Sequence, residues 1–295
     1  MNSVWVDLMG AEVKFYQGDK FRTRVIEAGS GEPLILIHGV GGHAEAYSRN
    51  IMRLAQDFRV MAIDLVYHGY SSKQPQDGNG IQHYSEQVVE LLDLIGAERG
   101  HVEGESLGGW VCMWLALHYP ERLHKIVLNT AAGVQFNEDK VVVDEKGGVN
   151  LLASRSIAAV QNPNPETIRA RLEWLMASPE LVTDELVDIR LKIYSTPETQ
   201  QSLTHVFENS FGGGTTSKYR LSEDQVGQIK TPTLVLWSDK NPGTGPDAGR
   251  RLANLIPGAE FYCINDAAHW PQWEQPEEHD RVVRDFLKAA VPAAT

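Results

Sequence analysis

Gly104-Glu105-Ser106-Leu107-Gly108 sets a serine between glycines, where a strand-like run meets the helix-like run Gly109 to Leu117. A serine in that setting is forced onto a tight strand-to-helix turn. Its hydroxyl projects into a cleft, and the Leu107 N–H at the helix start points at the same space. Such a nucleophile needs a base to take its proton. His269, in Asp266-Ala267-Ala268-His269-Trp270-Pro271, follows the strand-like Phe261-Tyr262-Cys263-Ile264, which puts it on a loop at the carboxyl end of a strand. His101 lies within a strand, His118 and His124 flank a helix end, and His279 is on the last helix, so these are expected to be surface or core residues.

His38-Gly39-Val40-Gly41-Gly42 follows the first strongly apolar run. Its glycines allow a sharp turn that would bring the Val40 N–H beside the Leu107 N–H as an oxyanion hole. A plain glycine-rich turn explains the same residues, and no G-x-x-x-x-G-K-[ST] phosphate loop is present. The residue that orients the base must follow the strand ending at Trp237, where Trp237-Ser238-Asp239-Lys240-Asn241-Pro242 offers Asp239 or Asn241. An amide in place of the carboxylate can cost about four orders of magnitude by favouring the wrong imidazole tautomer, so Asp239 is the chemically better orienter. In extended backbone the two face the same way roughly 6 to 7 Å apart, so only one can be in place. Glu103 and Glu105 are unexpected beside the nucleophile. A carboxylate in a buried strand needs a partner or a raised pKa. Either could serve His269, an ordinary buried ion pair being the plainer expectation.

The elements that must position these groups are legible from hydrophobic runs. Alternating stretches at 11–16 and 22–27 read as antiparallel strands. The continuous apolar runs at 33–38, 58–64, 126–129 and 233–237 read as strands covered on both faces. Strands alternating with helical intervals imply a mostly parallel sheet flanked by helices, an α/β architecture. Between residues 134 and 222 this rhythm stops. The chain there is polar and helical, with breaks at Asn162-Pro163-Asn164-Pro165 and Gly212-Gly213-Gly214. It reads as a helical lid over a core made of residues 1–133 and 223–295, a separate helical domain being the alternative.

A net charge of -12 over 295 residues argues against nucleic acid or an anionic membrane as partner, because both need clustered Lys and Arg. A small-molecule substrate is the expected partner, and an acidic one held by a local arginine is compatible with that charge. The beginning of the sequence has no signal-peptide pattern, and the longest apolar run, Trp110 to Leu117, is too short to span a bilayer. Cys112 and Cys263, without C-x-x-C spacing, suggest free buried thiols and a cytoplasmic location. No metal or organic cofactor is implied. Oligomeric state is open, a homo-oligomer included.

Taken together, the order Ser106, acid, His269 resembles the α/β-hydrolase fold over the whole chain, lid included. Asp266 to Glu274 is similar to the meta-cleavage product hydrolases, which split a C–C bond in 2-hydroxy-6-oxo-dienoates from aromatic ring fission. That family has a tryptophan directly after the catalytic histidine, as Trp270 is here. It also has a lid-helix arginine for the substrate carboxylate and its neighbouring oxygen, a position Arg190 matches. The resemblance implies Arg190, Trp270, Glu105, Gly39 and Gly41 as substrate contacts. Two departures stand out. The family usually has Asn where this chain has Glu105, and a carboxylate there repels the substrate carboxylate unless protonated or paired with Arg190. The family acid falls on Asn241, an alignment supported through Asp247-Ala248-Gly249.

The implied reaction is C–C hydrolysis by a serine nucleophile. A carboxylesterase or lactonase with the same machinery is the first alternative, and a catalytically impaired ligand-binding protein of the same fold is the second.

Overall fold

The computed structural model describes residues 3–74, 77, 80–137, 148–211 and 218–290. Eight strands form one sheet: β1 (Glu12–Gln17), β2 (Arg22–Ala28), β3 (Pro33–Ile37), β4 (Arg59–Ile63), β5 (Gly100–Glu105), β6 (Leu123–Asn129), β7 (Thr233–Ser238) and β8 (Glu260–Ile264). Their order across the sheet is β1-β2-β4-β3-β5-β6-β7-β8. The β1–β2 and β2–β4 pairings are antiparallel and every other neighbouring pair is parallel. The two opening strands and the parallel remainder agree with the pattern of apolar runs. The central strands are continuous in hydrophobicity because helices cover both faces, and Leu34, Ile35, Leu36 and Ile37 of β3 are all fully buried.

The helix Leu107–His118 packs tightly against the sheet at the turn that carries Ser106. A Cβ at Gly104 would lie 2.1 Å from the Gly108 backbone, and one at Gly108 would lie 2.3 Å from the Ile37 carbonyl oxygen. Both flanking residues of the motif must therefore be glycine for strand and helix to approach this closely.

Between the short paired strands Val134–Gln135 and Leu221–Ser222, the described residues add four helices and no strand of the main sheet: Gly148–Gln161, Pro165–Leu175, Asp184–Tyr194 and Pro197–Phe211. The break at Asn164 is a capping box, its side chain accepting from the Thr167 N–H. The glycine break at 212–214 lies outside the described residues. These helices bury Ile168, Leu172, Leu186, Tyr194, Leu203 and Phe207, and they are tied to the sheet's carboxyl edge by polar bonds. Tyr194 donates its hydroxyl to the Gly41 carbonyl at 2.7 Å, and the His269 N–H donates to the Leu175 carbonyl at 2.8 Å. Both cysteines are free, Cys112 buried and Cys263 half-buried. No helix among the described residues is long and apolar enough to cross a membrane.

Candidate active site

Ser106 sits on the turn between β5 and the helix Leu107–His118 with φ 54° and ψ -109°, a left-handed-side conformation that a non-glycine residue holds only under strain. Its N–H and C=O are fixed by the Asn129 carbonyl at 3.0 Å and by the Ala132 N–H at 3.0 Å. The strain is thereby held by β6 and the loop that follows it. Among the described residues the N–H groups of Val40 and Leu107 have no protein acceptor. Leu107 opens its helix, where such orphan donors are expected. Val40 lines the same cavity as Ser106. The Val40 turn is held from behind by the neutral His38 ring, whose Nδ1 donates to the Gly39 carbonyl at 2.7 Å while Nε2 accepts from the Leu65 N–H at 3.1 Å. Burial pulls the His38 pKa down to about 4, which keeps both roles available at neutral pH.

His269 lies beside the nucleophile, 9% exposed, with its ring edge-on to Trp174. Its Nδ1 is 2.6 Å from Asn241 Oδ1. The expectation that Asp239 orients the ring is therefore corrected: Asp239 Oδ1 accepts instead from the Ala267 N–H at 3.3 Å, and Asn241 occupies the place beside the imidazole. The reason is backbone direction after β7. Asp239 and Lys240 donate their N–H groups to the Ile264 and Ala267 carbonyls, which turns position 239 toward the loop after β8. The tautomer problem of an amide orienter is also solved locally. Asn241 Nδ2 donates to the Thr244 carbonyl at 2.9 Å and to Thr244 Oγ1 at 2.7 Å. With the amide nitrogen so engaged, Oδ1 faces the ring, and Nδ1 must carry the proton.

The other ring nitrogen meets a carboxylate. His269 Nε2 lies 3.1 Å from Glu105 Oε1, while Glu105 Oε2 accepts the Gly39 N–H at 2.7 Å. Glu105, offered by the sequence as a possible partner of His269, thus lies at the ring nitrogen opposite the one that Asn241 holds. Glu103, the second unexpected acid, is the ordinary buried ion pair: its Oε1 is 2.7 Å from Nε2 of the fully buried His279.

Arg190 lies on Asp184–Tyr194, 1% exposed, its guanidinium 5.3 Å from the centre of the Trp270 ring. Its Nε donates to His43 Nε2 at 3.5 Å, and His43 Nδ1 in turn meets Glu45 Oε2 at 2.8 Å. Glu45 and Asp64 pair with the buried Arg24. This buried network fixes the arginine without neutralising it directly. Arg190 Nη2 has no partner, and no carboxylate lies within ion-pair distance among the described residues. Gly39 lines the polar cavity beside Ser106 together with Glu105, Arg190, His269 and Trp270. Gly41 is turned toward the lid helices, where its carbonyl takes the Tyr194 hydroxyl, and Gly42 lines the cavity in its place.

One charged lining residue escaped the sequence reading: Arg171, 2% exposed, on Pro165–Leu175. The signal was present. Ile168, Arg171, Leu172 and Leu175 fall at i, i+3, i+4 and i+7, so an arginine sits in the middle of a buried apolar stripe. On the other side of Ser106 and His269 a second cavity of about 260 Å³ is lined chiefly by apolar groups, among them Trp110, Trp174 and Phe211. The described residues hold no group of three or more His, Cys, Asp or Glu side chains placed to hold a metal ion.

A sheet of this order, with a serine on the turn after β5 and a histidine after β8, defines an α/β hydrolase. A sequence model of the alpha/beta hydrolase fold matches residues 32–186 and 191–276, and the chain belongs to that family. Within the family it sits among the meta-cleavage product hydrolases. It is 30% identical to a 2-hydroxy-6-oxo-6-phenylhexa-2,4-dienoate hydrolase of Burkholderia cepacia, over 90% of this chain and 91% of that one. It is 29% identical to a 2-hydroxymuconate semialdehyde hydrolase of Pseudomonas putida, over 92% of each. Among solved structures, a meta-cleavage product hydrolase from Pseudomonas fluorescens IP01 superposes with a TM-score of 0.78 at 26% identity, covering 94% of this chain and 98% of that one.

Proposed function

We propose that this protein hydrolyses the C–C bond of a 2-hydroxy-6-oxo-dienoate-type ring-fission product, with Ser106 as nucleophile, His269 as base and Asn241 as its orienter. The observation that carries the reading is the meeting of two unlike cavities at Ser106 and His269. One carries the charged Glu105, Arg171 and Arg190, with Arg190 Nη2 unpartnered, and the other is chiefly apolar. The charges of the first suit an acidic dienoate end, which its free volume of about 10 Å³ admits only when the lining side chains move apart, and the acyl side group suits the second. The named activities of the relatives support the same chemistry.

The substrate enters with its carboxylate on Arg190 and Trp270 against the guanidinium's other face. Ketonisation then moves the 2-hydroxyl proton to C5, giving a 2,6-dioxo-3-enoate in which C6 is an isolated ketone and C5 can later depart as a dienolate delocalised onto the C2 oxygen. His269 Nε2 leaves Glu105 and takes the Ser106 proton as Oγ attacks C6. The developing oxyanion is met by the Val40 and Leu107 N–H groups. Collapse breaks the C–C bond, and the carbon fragment leaves as a dienolate that is reprotonated. Water activated by His269 then releases the acyl group from Ser106. The four helices between Gly148 and Phe211 act as the lid that excludes bulk water from these steps.

An esterase or lactonase reading is favoured by Glu105, whose charge opposes a carboxylate substrate. An enol-lactonase from Burkholderia xenovorans LB400 shares the fold with a TM-score of 0.76 at 19% identity, so the fold alone does not separate the two. The impaired-binder reading loses its motive, because Thr244 sets the Asn241 amide in the productive sense. The free thiols support a reducing, cytoplasmic setting. The test is direct. Purified protein is expected to bleach a yellow 2-hydroxy-6-oxo-6-phenylhexa-2,4-dienoate solution, and Ser106→Ala to abolish the bleaching. Turnover of p-nitrophenyl esters with an unbleached dienoate overturns the reading.

A further inference from the structure

Arg171 is a second buried cation in the polar cavity, and the reaction as described does not use it. Its Nε donates to Ser156 Oγ at 2.7 Å and its Nη2 reaches the Val40 carbonyl at 3.3 Å, while Nη1 has no partner. Among the described residues no carboxylate lies within ion-pair distance of it. Burial pulls its pKa down to about 10, so it stays protonated at neutral pH. Two guanidinium groups thus share one small cavity, each with a free N–H group: Nη1 of Arg171 and Nη2 of Arg190.

The charge balance of that cavity is incomplete. Glu105 is the one carboxylate lining that cavity, and its two oxygens already meet the Gly39 N–H and His269 Nε2. Two guanidinium charges therefore share a cavity with a single carboxylate that forms an ion pair with neither. A buried charge without a partner is strongly unfavourable, and a ligand anion is what would relieve it. Guanidinium groups match planar, paired oxygens particularly well.

We propose that Arg171 and Arg190 form a two-arginine clamp for a 2-oxo or 2-hydroxy-enoic acid, in which the carboxylate and the neighbouring C2 oxygen each meet a guanidinium. The assignment rests on the function proposed above for the same site and adds Arg171 to the residues that touch substrate. A competing role is purely structural: Arg171 would brace the Val40 turn against the lid helices through its bond to the Val40 carbonyl.

Calorimetric titration of the Ser106→Ala protein separates these roles without requiring turnover. The probes are 2-oxopentanoate and its uncharged relative 2-pentanone. Addition of Arg171→Met is expected to weaken 2-oxopentanoate binding at least tenfold more than 2-pentanone binding, and Arg171→Lys to recover at least a third of that difference. Should the methionine variant fail to fold by circular dichroism, Arg171→Gln and Arg171→Lys carry the comparison. Equal weakening of both probes, or no measurable binding of 2-oxopentanoate to the Ser106→Ala protein, overturns the clamp. The two readings fail separately. If the wild type leaves the dienoate unbleached while the acid still needs Arg171, the clamp stands without C–C hydrolysis. If the wild type bleaches the dienoate and Arg171→Met keeps both its KM and its acid binding, the clamp falls alone.

Discussion

Glu105 Oε1 and His269 Nε2 stand 3.1 Å apart, so the nitrogen proposed to deprotonate Ser106 is held by the residue immediately before it. The geometry is made by the nucleophile turn itself. Positions 105 and 106 straddle the end of β5, and Glu105 is anchored by the Gly39 N–H at 2.7 Å, where a side chain at 39 would leave no room. Among the described residues the Ser106 hydroxyl has no partner of its own, so activation requires His269 to exchange Glu105 for Ser106.

Removal of that competitor is expected to help an acidic substrate. Glu105→Asn keeps an acceptor for the Gly39 N–H but removes a negative charge from the cavity that receives the substrate carboxylate. Two like charges about 5 Å apart repel by about 3 kcal/mol at an effective dielectric near 20. Steady-state kinetics on the dienoate should show KM lowered about tenfold. A raised KM would mean that Glu105 itself assists binding.

Asn241 and Thr244 work as a unit. Asn241→Ala is expected to lower kcat about a hundredfold, and Thr244→Val about tenfold, because valine removes Oγ1 and leaves only the carbonyl to hold the amide. Asp239→Asn keeps its acceptor for the Ala267 N–H and should stay within threefold of wild type. A hundredfold loss in Asp239→Asn would return the orienting role to position 239.

The conformation of Ser106 has a measurable cost. With φ 54° and ψ -109° the residue occupies space open mainly to glycine. Ser106→Gly should therefore be more stable than Ser106→Ala by about 1 kcal/mol, on the scale of one strained backbone residue. In thermal unfolding this is about 2 °C or somewhat more for a chain of this size. Equal melting temperatures would show that the turn is not strained.

Stability should fall as pH rises above neutrality. Burial alone would lower the His279 pKa, but the Glu103 charge and the hydrogen bonds the ring donates to Asp280 and Glu103 outweigh it and push the imidazole up to about 10. The unfolded histidine titrates near 6.5, so between these values the folded state holds one proton more. Its stabilisation is complete below pH 6.5 and is lost through pH 10, at about 1.4 kcal/mol per pH unit. Denaturant unfolding across that window should show the slope in wild type, and His279→Gln should flatten it. An unchanged slope in the variant would remove His279 as its source.

Much of this molecule was legible because it rests on local or periodic constraints. The strand runs, the glycines around Ser106 and the order of serine before histidine each follow from what a short segment of backbone can do. Arg190 was reached through its resemblance, although its stripe of Leu186, Val187, Ile193 and Tyr194 carries the same mark as that of Arg171. Both are charged residues at helical positions that the periodicity assigns to the interior.

The sequence by itself determined the sheet, the nucleophile turn and the choice of base, since hydrophobic period and glycine requirement are properties of neighbours along the chain. Only the tertiary structure decided that Asn241 rather than Asp239 meets His269, that Glu105 takes the opposite ring nitrogen, and that Arg171 shares the cavity with Arg190. Each of those outcomes joins segments far apart in sequence. Each turns on which way a side chain points after a loop or helix has been packed, and that direction is set by distant backbone partners such as the Ile264 and Ala267 carbonyls.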